Sequence, residues 1–169
     1  MANRMSYLFP AAFMLNSFSV TAILVFFGLV GETRLAADIG LVQGVMLALF
    51  YAFSANARSI ILNDEAKISV NHIFLIRMIL ILPLGVIAYC ASVYISSINM
   101  ILVVALVIRR SVEWIGEIHL SWRESSNDGS FAKRYSILEG SLFLLVVAWY
   151  LAKVPMPVIG MLIWAIVPL

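Results

Sequence analysis

The sequence predicts an all-α fold, a polytopic transmembrane bundle of five to six helices with its N-terminus on the cytoplasmic side. Three observations predict it. Of the 169 residues, 63% are hydrophobic and 12% charged, and the mean hydropathy is +1.04. A soluble domain is about half apolar and about a quarter charged. Five stretches reach or approach the roughly 20 apolar residues that cross a bilayer. Basic residues near the ends of these stretches then fall mostly on one side. With the N-terminus inside, Arg4, Arg58, Lys67, Arg77, Arg123, Lys133 and Arg134 are cytoplasmic, and Arg34 and Lys153 are opposite. The whole chain, residues 1–169, reads as one transmembrane bundle without a clear internal repeat.

The first apolar stretch, residues 7–30, follows Arg4 and exceeds a signal-peptide core of roughly 7–15 residues, so it reads as a retained helix. Asn16, Ser17 and Ser19 near its middle read as polar glue between helices. Gly31-Glu32-Thr33-Arg34 connects it to the second stretch, residues 38–62. There Gln43, Tyr51, Ser54 and Arg58 share one face, and Gly40-x-x-x-Gly44 suits close packing. Gln43 and Ser54 either bond a neighbouring helix or line a cavity, while Arg58 reaches toward the interface.

A loop opens at Asn63 and runs to Lys67. The third stretch, residues 73–95, has Arg77 near its inner end and Pro83 as a source of bending. The lone Cys90 excludes an internal disulfide and reads as a small packed hydrophobe. Ser96-Ser97 makes a tight turn into the fourth stretch, residues 97–122. Asn127-Asp128-Gly129 marks a turn in the longest polar segment, residues 123–134. The fifth stretch, residues 135–152, carries Glu139 about one turn in, as a solvated interfacial carboxylate or a partner for nearby cations. Tyr7, Trp122, Tyr135 and Tyr150 suit interfacial positions, whereas Trp114 lies too deep.

After Lys153-Val154-Pro155, a sixth apolar stretch, residues 155–169, would reach about 22 Å, short of a core of about 30 Å. It is expected to be a short or re-entrant span, or one cut by truncation, which the missing polar tail favours.

The fourth stretch holds the unusual chemistry. Arg109 and Arg110 sit at its centre, followed by Glu113 and Glu117. A charge at bilayer depth costs at least about 2.5–3.5 kcal/mol and marks a functional site by default. At about 100° per residue, these four with Ser121 and Glu124 fall within a sector of roughly 120°. Arg109 lies four residues before Glu113 and Arg110 three before it, so both pairs can meet on the helix surface. The charges either neutralise each other and lock the helix in place, or line a wet groove. Trp114 is one turn beyond Arg110, within reach of a cation–π contact.

Enzymatic chemistry is not expected. G-x-S-x-G, H-E-x-x-H and phosphate-loop patterns are absent from the sequence. His72 and His119 have no Cys or carboxylate companions at metal-ligand spacing, so neither metal nor cofactor is expected. The scattered basic residues suggest no nucleic-acid module.

Three stretches carry a family resemblance: Ile39-Gly40-Leu41-Val42-Gln43 through Ala55-Asn56-Ala57-Arg58-Ser59-Ile60-Ile61, Arg109-Arg110-Ser111-Val112-Glu113-Trp114-Ile115-Gly116-Glu117-Ile118, and Phe131-Ala132-Lys133-Arg134-Tyr135. With the order of helices and short loops, they resemble the polysaccharide (O-antigen type) flippases of the multidrug/oligosaccharidyl-lipid/polysaccharide exporter superfamily. Members of that family pair two half-bundles around a cation-lined cavity for a lipid pyrophosphate-linked oligosaccharide. The resemblance implies an N-terminal half-bundle in a bacterial cytoplasmic membrane, with lipids around it and a second half-bundle as partner. It implies substrate binding by Arg109 and Arg110, joined on the same groove by Gln43 and Arg58, and ion pairing or proton coupling by Glu113, Glu117 and Glu139. Two other readings stay open: a non-transporting assembly subunit whose charges pair internally, and a proton-coupled exporter of the same superfamily.

Overall fold

A computed structural model of the chain describes residues 7–54, 56–63, 68–95, 98–153 and 157–166. The expected Ser96-Ser97 turn, residues 64–67 and 154–156, Arg4 and the last three residues lie outside that set. The described residues form seven helical elements and no strand: α1 (Leu8–Leu29), α2 (Thr33–Ala52), α3 (Ala57–Leu62), α4 (Val70–Ile95), α5 (Met100–Ser125), α6 (Gly129–Leu151) and α7 (Pro157–Ile166).

Four spans are long and apolar enough to cross a membrane: α1, α2 with α3 (Thr33–Leu62), α4 and α6. The outward faces agree, exposing Leu29, Ile79, Leu82 and Leu144 where a soluble protein would place polar groups. These are the marks of a membrane protein. Helix α5 equals α4 in length, and its charges set it apart in composition. At ten residues, α7 is about 15 Å long, too short to span.

Local signals end and start the helices. Gly31 takes φ +90° between α1 and α2, a conformation that a side chain would strain. The carboxamide of Asn99 caps α5 by accepting from the amide of Ile101 at 2.9 Å. Asp128 caps α6 by accepting from the amide of Phe131 at 3.3 Å. In that turn Asn127 takes the left-handed conformation, and Gly129 begins the helix.

Four expectations are corrected. The second stretch is not one helix from residue 38 to 62. It begins at Thr33 and breaks after Ala52, with Asn56 at φ +49° before α3. Tyr51 is exposed and Ser54 lies between helices, so Gln43, Tyr51, Ser54 and Arg58 form no common face. Of the paired glycines, a Cβ on Gly40 would stand 3.0 Å from Leu24 Cδ1, whereas Gly44 faces open space. Only Gly40 marks a close helix approach. Cys90, expected inside, is exposed.

Helix α5 is the hub, packing against all six other helices. Val20, Ile23 and Phe27 of α1, Ile39, Met46 and Phe50 of α2, and Leu102, Leu106 and Trp114 of α5 form the main core. Met161 and Trp164 of α7 close it at one side. Polar residues that face this core must therefore find partners on neighbouring helices.

Candidate functional site

Arg109, at the middle of α5, is fully buried. Its Nε donates to Glu113 Oε1 at 3.0 Å, one helical turn away. Its Nη2 donates to Ser19 Oγ on α1 at 3.0 Å and to Glu139 Oε2 on α6. Its Nη1 donates to the carbonyl of Trp164 at 3.4 Å, and the guanidinium lies 4.5 Å from the centre of that indole. Four helices thus converge on one side chain. Ser19 accepts from Arg109 and donates to Glu113 Oε1 at 2.6 Å, closing a three-membered ring of polar groups.

Arg110 supplies the second positive charge through Nη1, which donates to Glu113 Oε2 at 3.2 Å. The knot therefore holds two guanidiniums and two carboxylates, Glu113 and Glu139, and is formally neutral. Such balance is needed. An ion removed from water loses several kcal/mol of hydration, by order of magnitude, which only close opposite charges and hydrogen bonds offset. Among the charged side chains of the knot, two buried atoms have no partner within the described residues: Arg110 Nε and Glu139 Oε1.

A second chain of bonds braces the knot. Tyr135 Oη on α6 donates to Asn16 Oδ1 on α1, and Asn16 Nδ2 donates to the carbonyl of Glu113 at 3.0 Å. The space for the tyrosine exists because residue 116 is glycine. A Cβ there would come within 2.8 Å of Tyr135 Oη and 3.3 Å of Asn16 Oδ1.

Farther along α5 the pairs separate from the knot. Arg77 of α4 is buried and donates to Glu117 Oε2 at 2.8 Å, to the carbonyl of Trp114, and to Ser54. Its guanidinium lies 4.7 Å from the Trp114 ring. The cation over Trp114 is thus Arg77 from another helix, not the expected Arg110. Arg58 makes a two-pronged bridge to Glu124 at 2.9 and 2.8 Å and stacks on Phe13. Arg123 meets Asp128 at 3.3 Å at the end of the helix. Half-buried Asp128 is held below the usual carboxylate range by the Ser130 hydroxyl, then by the Phe131 amide and Arg123.

Of the residues singled out in the sequence, Arg109, Arg110, Glu113 and Glu139 come together. Glu139 is not a solvated interfacial carboxylate, because the packing of α6 against α1 and α5 buries it. Glu117 sits apart with Arg77. Gln43 and Arg58 do not join the arginines of α5 on one groove. Gln43 Nε2 donates to Thr21 Oγ1 at 2.9 Å, and Arg58 is occupied by Glu124. Asn16 and Ser19 act as the polar glue between helices that the sequence suggested, whereas Tyr135, read as interfacial, and Trp164 were not foreseen as participants. Asn16 and Ser19 are three apart on an apolar helix, a spacing that points both to one neighbour; Trp164 carried no signal.

No family model, no curated protein and no solved structure matches this chain.

Proposed function

We propose that this chain is the half-bundle of a membrane transporter of the polysaccharide-flippase kind. It would act in a bacterial cytoplasmic membrane on an anionic, lipid pyrophosphate-linked saccharide. The observation that carries this reading is the unequal state of the two arginines. Arg109 is held from four helices and is a positioning residue. Arg110 keeps one ion pair, an unpartnered buried Nε and a side chain 16% exposed. Its guanidinium can turn to a phosphate oxygen while Glu113 keeps its ion pair with Arg109 at 3.0 Å. A second half-bundle would complete the passage, as in transporters built from repeated halves.

The test compares Arg110→Gln with the parent in cells that depend on this chain for surface polysaccharide. Arg110→Gln is expected to abolish polysaccharide export at an unchanged level of membrane-inserted protein. Export that persists in stable Arg110→Gln would overturn the reading.

A second reading, a non-transporting assembly subunit, is favoured by the formal neutrality of the knot. Under it, Arg110→Gln leaves export intact, and only variants that upset the balance around Arg109 lower the amount of protein.

A further inference from the structure

The side of the bundle formed by α4, α5 and α6 carries a furrow outside the charge network. Between α4 and α5 lies a cavity of about 640 Å³ walled by apolar groups such as Met78, Leu82, Tyr89, Ile108 and Ile115. It ends at Phe74 and His119, whose rings meet edge to face at 5.7 Å. A second cavity of about 430 Å³ between α5 and α6 shares Ile115 and His119 with the first and adds Phe131 and Arg134. A third of about 480 Å³ shares Phe74 and His119 and opens onto Ser69, Asn71 and Trp122. The shared walls join them into one surface. It is apolar along α4 and α5, and polar where α5 ends and α6 begins.

The polar end has charge to spare. Arg58, Arg77 and Arg123 are each bound to a carboxylate. Exposed Arg134, lining the furrow, has no ion-pair partner among the described residues, and exposed Lys133 stands beside it.

We propose that this furrow binds an anionic phospholipid, with an acyl chain along α4 and α5 and the phosphate at His119 and Arg134. The cavity volume lies within the roughly 300–1,000 Å³ of sites that enclose a small ligand. A basic pocket between helices at the cytoplasmic level suits an anionic headgroup, and a guanidinium grips phosphate oxygens with paired N–H donors. Charge argues against a second copy of this chain as occupant. A parallel copy would bring its own Lys133 and Arg134 to the same level, like charge against like.

The full chain in phosphatidylcholine nanodiscs, challenged with phosphatidylglycerol, gives the test. Native mass spectrometry is expected to find phosphatidylglycerol retained in preference to phosphatidylcholine. Arg134→Gln should weaken retention about fivefold, the worth of one basic residue at an anionic surface. Ile108→Trp should displace the lipid by filling the groove while both headgroup contacts stay in place. Circular dichroism establishes that each variant is folded. Equal retention of the two lipids would overturn the proposal, as would unchanged retention in folded Arg134→Gln. So would stabilisation by glycerol phosphate alone equal to that by the whole lipid, or a stable dimer that covers the furrow. These variants leave Arg110 untouched, so failure here is separate from failure of the transport reading.

Discussion

The knot around Arg109 and the pairs at the far end of α5 both join arginine to carboxylate, but in opposite surroundings. Arg109 and Glu139 are essentially without exposure, whereas the side chains of Arg58 and Arg123 are 42% and 39% exposed. Water screens the outer pairs and can replace either partner, so each contributes at most about 1 kcal/mol. At the knot no water substitutes for a lost partner. Removing one member of such a pair costs roughly 3–5 kcal/mol, most of it the penalty of a stranded charge. Depth, not the identity of the residues, separates a structural lock from a surface ornament.

The sharpest way to break this contrast is Arg109→Leu, which leaves Glu113 with only Arg110 and takes from Glu139 the cation it is paired with. The expected loss is roughly 3–5 kcal/mol, read from unfolding in detergent micelles. Arg109→Leu with Glu139→Leu restores neutrality and should recover more than half of that loss. A single variant as stable as the parent would remove the knot from any structural role.

Next comes Gly116→Ala, with a methyl 2.8 Å from Tyr135 Oη. Helices α5 and α6 must part, or the Tyr135–Asn16 bond must break. The expected cost is about 1–3 kcal/mol, and Tyr135→Phe in the same background should relieve part of it. No relief would mean that the clash lies elsewhere.

At the surface, Arg58→Gln should change stability by less than about 1 kcal/mol, and by less still in high salt. A loss as large as that of Arg109→Leu would erase the distinction between inner and outer pairs.

The smallest effect concerns Asp128. Its pKa is lowered on folding, so its stabilisation is present above the ordinary value of 3.8 and is lost as pH falls through the folded value. The stability difference between the parent and Asp128→Asn should shrink on acidification below that ordinary value. A difference that stays constant to lower pH would show that the carboxylate charge is not what caps α6.

Much of the bundle was legible in the sequence. Runs of apolar residues located α1, α4 and α6 to within a few residues or one to two turns, and the cluster Arg109, Arg110 and Glu113 announced a charged centre. Two features were not legible. The break before α3 comes at the left-handed turn at Asn56, inside a stretch that reads as one apolar span. Glu139 looked interfacial because α6 was expected to begin at residue 135. Its actual start at Gly129 puts Glu139 nearly three turns inside the helix.

By itself, the sequence determined that helices form, where their apolar faces run, and that Arg109 meets Glu113, because a four-residue spacing on one helix brings those side chains together wherever the helix lies. Only the tertiary structure decided the rest. Arg109 reaches Glu139 across 30 residues, Arg77 reaches Glu117 across 40, and Ser19 joins Glu113 across 94. Such partners are chosen by how helices rotate and pack against α5. That choice is set by the whole apolar core, since many weak contacts must be satisfied at once before any one carboxylate is assigned to its arginine.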